Sequence, residues 1–155
     1  MNVLHALINE LESHIPDYEQ SNTAVSAGTV GWHISHSVLT LQVIIDAIVN
    51  SNPGAYKWTF NWKRSLVYTI NRIPREKAKA PKLVQPKSDL QKEVLVSQVK
   101  QVKERLKALE ALSPNHYFNH PYFGQLNLKP SKRFLELHTK HHLKIIKDIV
   151  QAKAK

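Results

Sequence analysis

Apolar residues recur at helical spacing along most of this chain. Leu4, Leu7, Ile8, Leu11 and Ile15 follow one another at intervals of three and four, which predicts a first helix from about Asn2 to His14, ended by Pro16. A second stripe, Val30, Ile34, Val38, Leu41, Ile45 and Ile48, predicts a helix from about Ser26 to Asn50, stopped by Asn52-Pro53-Gly54. Leu95, Val99, Val102, Leu106 and Leu109 line a third, for which Ser88 and Gln91 have the spacing of a capping box. The fourth runs from about Asn127 to Ala152 on Phe134, Ile145, Ile146 and Ile149, with Pro130 fitting only in its first turn. Convincing strand alternation is absent, so an all-α domain without a sheet is expected.

Residues 51–87 break the pattern. Trp58, Phe60, Trp62, Leu66, Val67, Tyr68 and Ile70 suggest a short helix near Asn61–Asn71. Trp58 and Trp62 would suit stacking on bases, but beside Phe60 and Leu66 tryptophans more often pack. The stretch from Arg72 to Lys87 follows, with Pro74, Pro81 and Pro86 spaced along it and Ile73, Leu83 and Val84 as apolar anchors. Spaced prolines fix φ and lower the entropy lost on docking, so this segment reads as an ordered strap. The whole, residues 1–155, reads as one domain: a four-helix bundle with a long crossover between helices 2 and 3.

Composition narrows the chemistry. The absence of cysteine removes disulfides, thiolate zinc sites and a protein thiol nucleophile, and fits a reducing cytoplasm. None of the 4 glycines forms a phosphate-cradling loop. The stretch VLTLQVIIDAIV, interrupted by Gln42 and Asp46, is too short and polar to span a bilayer, so no membrane partner is expected. Residues 1–56 carry five acids and no Lys or Arg, which also argues against a basic secretory signal. Residues 57–87 carry nine bases and one acid, and the net charge is +10. Such a balance suits an anionic ligand or nucleic acid, although lysines placed singly along helices more simply make a solvated surface.

Nine histidines are the remaining signal. His138 and His142, in HTKHH, stand four apart, so one helix face carries both imidazoles toward one ion. That face is otherwise apolar, and unsatisfied polar groups there cost about 1–3 kcal/mol each. In the second helix, Gly31, Ser35, Gln42 and Asp46 mark the polar outer face. His36, in GWHISH, falls on a flank with Thr29, Thr40, Val43 and Ala47, where small residues leave room for an ion and a ligand. Spacing alone does not join His36 to the pair, because about a hundred residues intervene. His5 and His14 read as surface residues. His120, in NHPYFGQL, is the candidate for proton handling, placed by a turn together with Tyr122 and Phe123. No carboxylate shares the ligand face, and Glu136 should point away from His138.

GWHISHSV and HTKHHLKII, with IPREKAKAPK in the crossover and HPYFGQL before the last helix, resemble the DinB-like superfamily, and in particular an uncharacterised bacterial branch of it. The resemblance covers nearly the whole chain. It implies a four-helix bundle with a long crossover and a divalent metal held by His36, His138 and His142, with His33 and His141 outside the ligand set. It also implies metal-dependent hydrolase chemistry, or transfer to a low-molecular-weight thiol cosubstrate, and often a dimer.

Three neutral imidazoles would leave a divalent ion its full charge and an open position. All-nitrogen ligation suits Zn, Ni, Fe or Cu and argues against Ca or Mg. Three functions follow as expectations. A metal-dependent enzyme acting on a small-molecule substrate comes first, and a non-catalytic metal-binding or dimeric scaffold second. A basic nucleic-acid-binding protein ranks below both. A homodimer could use Leu39, Val43, Ile44 and Val49, with the acidic first helix meeting basic surface.

Overall fold

The computed structural model describes residues 2–74, 81–86 and 90–152. It is mostly helical: α1 (Asn2–Ser13), α2 (Val30–Val49), α3 (Trp62–Ile70), α4 (Lys92–Leu106) and α5 (Leu128–Ala152). Short 3-10 turns follow α1 at Ile15–Asp17, lie at Pro53–Ala55 and Lys82–Val84, and extend α4 at Lys107–Glu110. The four apolar stripes become four helices that pack on one another, α2 against α4 and α5, and α1 against α5 and α4. Their shared core is fully buried at Ile8, Leu11, Ile34, Ile45, Leu106 and Leu135. Burying side chains of this size stabilises the fold by about 1.5–3 kcal/mol each before chain entropy is counted.

Helix α2 begins at Val30, four residues later than its stripe suggested, because Thr29 Oγ1 accepts the Trp32 N–H at 3.1 Å. Ser26 lies instead in a turn, where its hydroxyl accepts the Gly28 N–H at 3.2 Å. Gly31 and Ser35, expected on the outer face, are buried. The chain after α1 covers Gly31: its N–H donates to the Tyr18 carbonyl at 2.8 Å, and a Cβ there would stand 2.9 Å from that oxygen. By length and composition α2 could cross a membrane, but most of it is buried within the protein, the place of a core helix. Helix α4 begins at Lys92 with Gln91 as its N-cap, and Ser88 lies outside the described residues.

The expectation of no sheet is corrected. Tyr117–His120 (β1) and Gly124–Asn127 (β2) form an antiparallel hairpin between α4 and α5. Four-residue strands are too short to show a clear period of two, and their buried members, Phe118 and Leu126, pair directly across the hairpin. Gly124 has φ of +70°, which lets the Pro121–Phe123 turn close without strain.

Within the crossover, Val84 is buried and Ile73 packs on the core, while Leu83 is exposed. The rest of the expected strap, residues 75–80 and 87, lies outside the described residues. Among the described residues, three of the five acids in residues 1–56 pair with Lys or Arg inside the chain. Glu12 pairs with Lys103 at 2.5 Å, Glu10 with Lys147 at 2.5 Å, and Asp46 with Arg105. Of the helix-2 residues considered for an interface, Ile44 is buried, Leu39 and Val43 are half-buried, and Val49 is exposed. His5 and His14 are half-buried.

Candidate metal centre

Helix packing brings the three histidines together. His138 and His142 lie one turn apart on α5, and the α2–α5 contact sets His36 opposite them. Ring centroids are 4.6 Å apart for His138 and His142, 4.7 Å for His36 and His142, and 5.2 Å for His36 and His138. One nitrogen from each ring falls in a group whose members all lie within 4.8 Å of one another. Nitrogens bound to a common ion at about 2.1 Å stand roughly 3–3.5 Å apart, so modest ring movements would close the set on a metal. His36 and His142 are buried and His138 is half-buried, which gives the cluster one more open side.

The surroundings orient the rings. A carbonyl only accepts, so the 2.8 Å contact between His36 Nδ1 and the Val84 carbonyl puts the ring proton on Nδ1 and leaves Nε2 with its lone pair. Trp32, one turn earlier on α2, stacks on His36 with centroids 4.9 Å apart and planes at 15°. His142 Nδ1 meets His33 Nδ1 at 3.0 Å, and His33 Nε2 meets Ser26 Oγ at 2.9 Å. If His142 donates from Nδ1, His33 accepts there and passes its own Nε2–H to Ser26, and His142 Nε2 is left unprotonated. This is the arrangement by which an outer partner fixes the tautomer of a metal-ligating histidine.

All three rings are held neutral. Burial pushes the His36 pKa down, against the opposing pull of the Val84 hydrogen bond. Burial, and then the neighbouring imidazoles, push His138 and His142 well below the usual histidine range. Neutral imidazoles with inward lone pairs are the donor set that Zn, Ni or Fe accepts.

His120 lies across Phe134 from His138, at the turn end of the hairpin. Its ring stacks on Phe123 at 4.2 Å and meets Phe134 edge-on at 4.6 Å, and Phe134 in turn lies 5.8 Å from His138. Its Nδ1 accepts the backbone N–H groups of Tyr122 and Phe123, at 3.1 and 3.2 Å. Burial lowers its pKa to about 4. The lone pair a base would use is therefore occupied in closing the turn, and Nε2 carries the proton. Glu136 sits away from the cluster, on a groove with Lys132, Arg133 and Lys140.

Three contributors escaped the sequence reading. His33, one turn before His36 in GWHISH, stands outside the ligand set as the resemblance implies, but no spacing signals that it and Ser26 orient His142. The Val84 carbonyl is a backbone group and leaves no residue-type signal.

Fold and cluster together define a helical protein with a three-histidine candidate metal centre. The chain belongs to the family described as "Protein of unknown function (DUF1569)", which it matches over residues 54–148. That span includes His120, His138 and His142 and leaves His36 outside. No curated protein and no solved structure matches the chain.

Proposed function

We propose that this protein is a DinB-like metal-binding domain, a four-helix bundle with a long crossover that holds one divalent transition metal on His36, His138 and His142. The observation that carries this reading is the convergence of three buried or half-buried neutral imidazoles from α2 and α5, all within 4.8 Å. An isolated core histidine needs one partner, whereas here three rings share one focus. A bound divalent ion on this donor set would supply a Lewis acid with an open position, able to lower the pKa of a water or a cosubstrate thiol. Val84 and Trp32 would fix His36, and His33 would hold the proton of His142 on Nδ1. The substrate class that fits is a small molecule acted on by metal-assisted hydrolysis or by transfer to a low-molecular-weight thiol, in a reducing cytoplasm.

A second reading, a non-catalytic metal-binding domain, is favoured by one specific feature. Among the described residues no carboxylate joins the cluster, and the Nδ1 of His120 is committed to two amides. With Nδ1 so occupied, His120 does not offer the site a free base. Elemental analysis of wild type and His142→Ala tests the shared core of both readings. One equivalent of metal in wild type and a near-complete loss in the variant is expected, and equal metal in the two would sink the site. Turnover of thiol-transfer or ester substrates by the loaded protein then separates enzyme from binder.

A further inference from the structure

The segment from Lys57 to Ile70 turns its apolar side outward. The extended stretch before α3 is tied by hydrogen bonds to the hairpin and to α3. The Lys57 N–H donates to Gln125 Oε1 at 2.8 Å, the Thr59 carbonyl accepts from Arg64 at 2.5 Å, and Asn61 Nδ2 donates to the Tyr122 carbonyl at 3.0 Å. Within the same stretch Trp58 and Phe60 are 68% and 72% exposed. Trp62 continues the ridge at 62%, and one and two turns along α3 come Leu66 at 49% and Ile70 at 60%. The inner face of α3 is made instead by Arg64, which is buried, and by Val67 and Tyr68, which pack on the core. The tryptophans therefore do not plug the core, contrary to the expectation from sequence. Five large apolar side chains form one exposed ridge on a hydrogen-bonded base. Monomeric soluble proteins rarely expose large contiguous apolar patches, and those that do commonly use them as interaction surfaces.

We propose that this ridge seats the protein on the surface of an anionic lipid bilayer. Three observations choose this occupant. The ridge carries two tryptophans and a phenylalanine, side chains that settle at the headgroup boundary, followed by the aliphatic Leu66 and Ile70, which suit the acyl edge. Lys57, Lys63 and Arg72 are exposed along it, and no Asp or Glu stands among the described residues from 57 to 74, so the charge carried by this segment complements anionic headgroups. The same charge opposes a second copy, since a two-fold contact here would set two basic segments face to face. Single-stranded nucleic acid would use the rings and bases, but Leu66 and Ile70 offer it no stacking face. The sequence expectation of no membrane partner rested on the lack of a spanning segment, and surface attachment requires none.

The test is co-sedimentation of the full chain with vesicles of phosphatidylcholine alone or mixed with phosphatidylglycerol, with tryptophan emission read in parallel. Binding to the mixed vesicles with a blue shift is expected, with about a tenfold or greater loss of partitioning in Trp58→Ser/Phe60→Ser. Leu66→Ser/Ile70→Ser should weaken it as well, with far-UV circular dichroism unchanged in both variants. No binding to mixed vesicles overturns the proposal. So does binding that salt abolishes and the variants leave intact, which would be charge alone. Tight binding of a single-stranded oligonucleotide without vesicle binding, or self-association lost in the variants without vesicle binding, would assign the ridge to those partners instead.

Discussion

His36 Nδ1 donates to the Val84 carbonyl at 2.8 Å, across 48 residues of chain. The crossover therefore reaches into the histidine cluster. The buried Val84 side chain holds the 3-10 turn at Lys82–Val84 in place, and the turn presents its carbonyl to the ring. Position of the backbone here is set by an apolar anchor, so the anchor controls the tautomer of a candidate ligand.

Removing that anchor should loosen the site while leaving the helices formed. Val84→Gly is expected to lower metal affinity by about tenfold, the lower range for loss of an outer-shell partner. Chelator competition against wild type measures it. Unchanged affinity would mean that the carbonyl stays in place without its side chain.

His33 carries the second orienting contact, at 3.0 Å to His142. His33→Phe keeps the ring volume on α2 and removes the acceptor. Metal affinity should fall about 10- to 100-fold, with a smaller loss in Ser26→Ala, which acts one bond further out. Retention of full affinity in His33→Phe would show that His142 orders itself without help.

Much of this fold could be read from the sequence because its main helices bury one continuous stripe each. Ile34, Ile45, Leu95, Val99, Ile146 and Ile149 all fall where a 3.6-residue period puts them. What escaped was local chemistry. The hairpin at Tyr117–Asn127 has strands too short for alternation, and Thr29 caps α2 so that it starts at Val30 and not near Ser26. The ridge at Trp58–Ile70 defeated the rule that large aromatics pack inward, because its inward face is satisfied by Arg64 and backbone hydrogen bonds. For the site, the His138–His142 pair was legible from spacing alone. His36 as third ligand, and its choice over His33, came from a resemblance, because spacing does not join a helix-2 histidine to a pair about a hundred residues away.

Arg64 is the joint between the crossover and the hairpin. Its guanidinium donates to the carbonyls of Thr59 at 2.5 Å, Gln125 at 3.3 Å and Phe123 at 3.5 Å. Arg64→Met keeps the stem and leaves those acceptors without a charged donor, at a cost of about 2–3 kcal/mol. Arg64→Lys should recover only part of this, because a single ammonium does not reproduce the fork. Urea unfolding gives the magnitude, and faster amide exchange across the hairpin in both variants gives the location. Wild-type exchange at Phe118 and Leu126 would contradict the joint.

Acid should destabilise the metal-free protein through His120. Its pKa is about 4 in the folded chain against an ordinary 6.5, with burial as the cause. A depressed histidine means that the unfolded state binds more protons between those two values. The stability it protects is therefore complete above pH 6.5 and declines as the pH falls toward 4. The slope from one such group approaches about 1.4 kcal/mol per pH unit inside that window. Protonation at Nδ1 would also break the hydrogen bonds from the Tyr122 and Phe123 amides, so the turn and the charge are linked. His36, His138 and His142 shift in the same direction, so wild type alone does not isolate His120. Comparison with His120→Phe does. That variant keeps the aromatic stack, loses about 1 kcal/mol at pH 7 for the two freed amides, and should lose less on acidification than wild type by roughly the single-histidine slope. Urea midpoints at pH 7, 6 and 5 in chelator supply the two curves, and parallel curves would remove His120 as the titrating group.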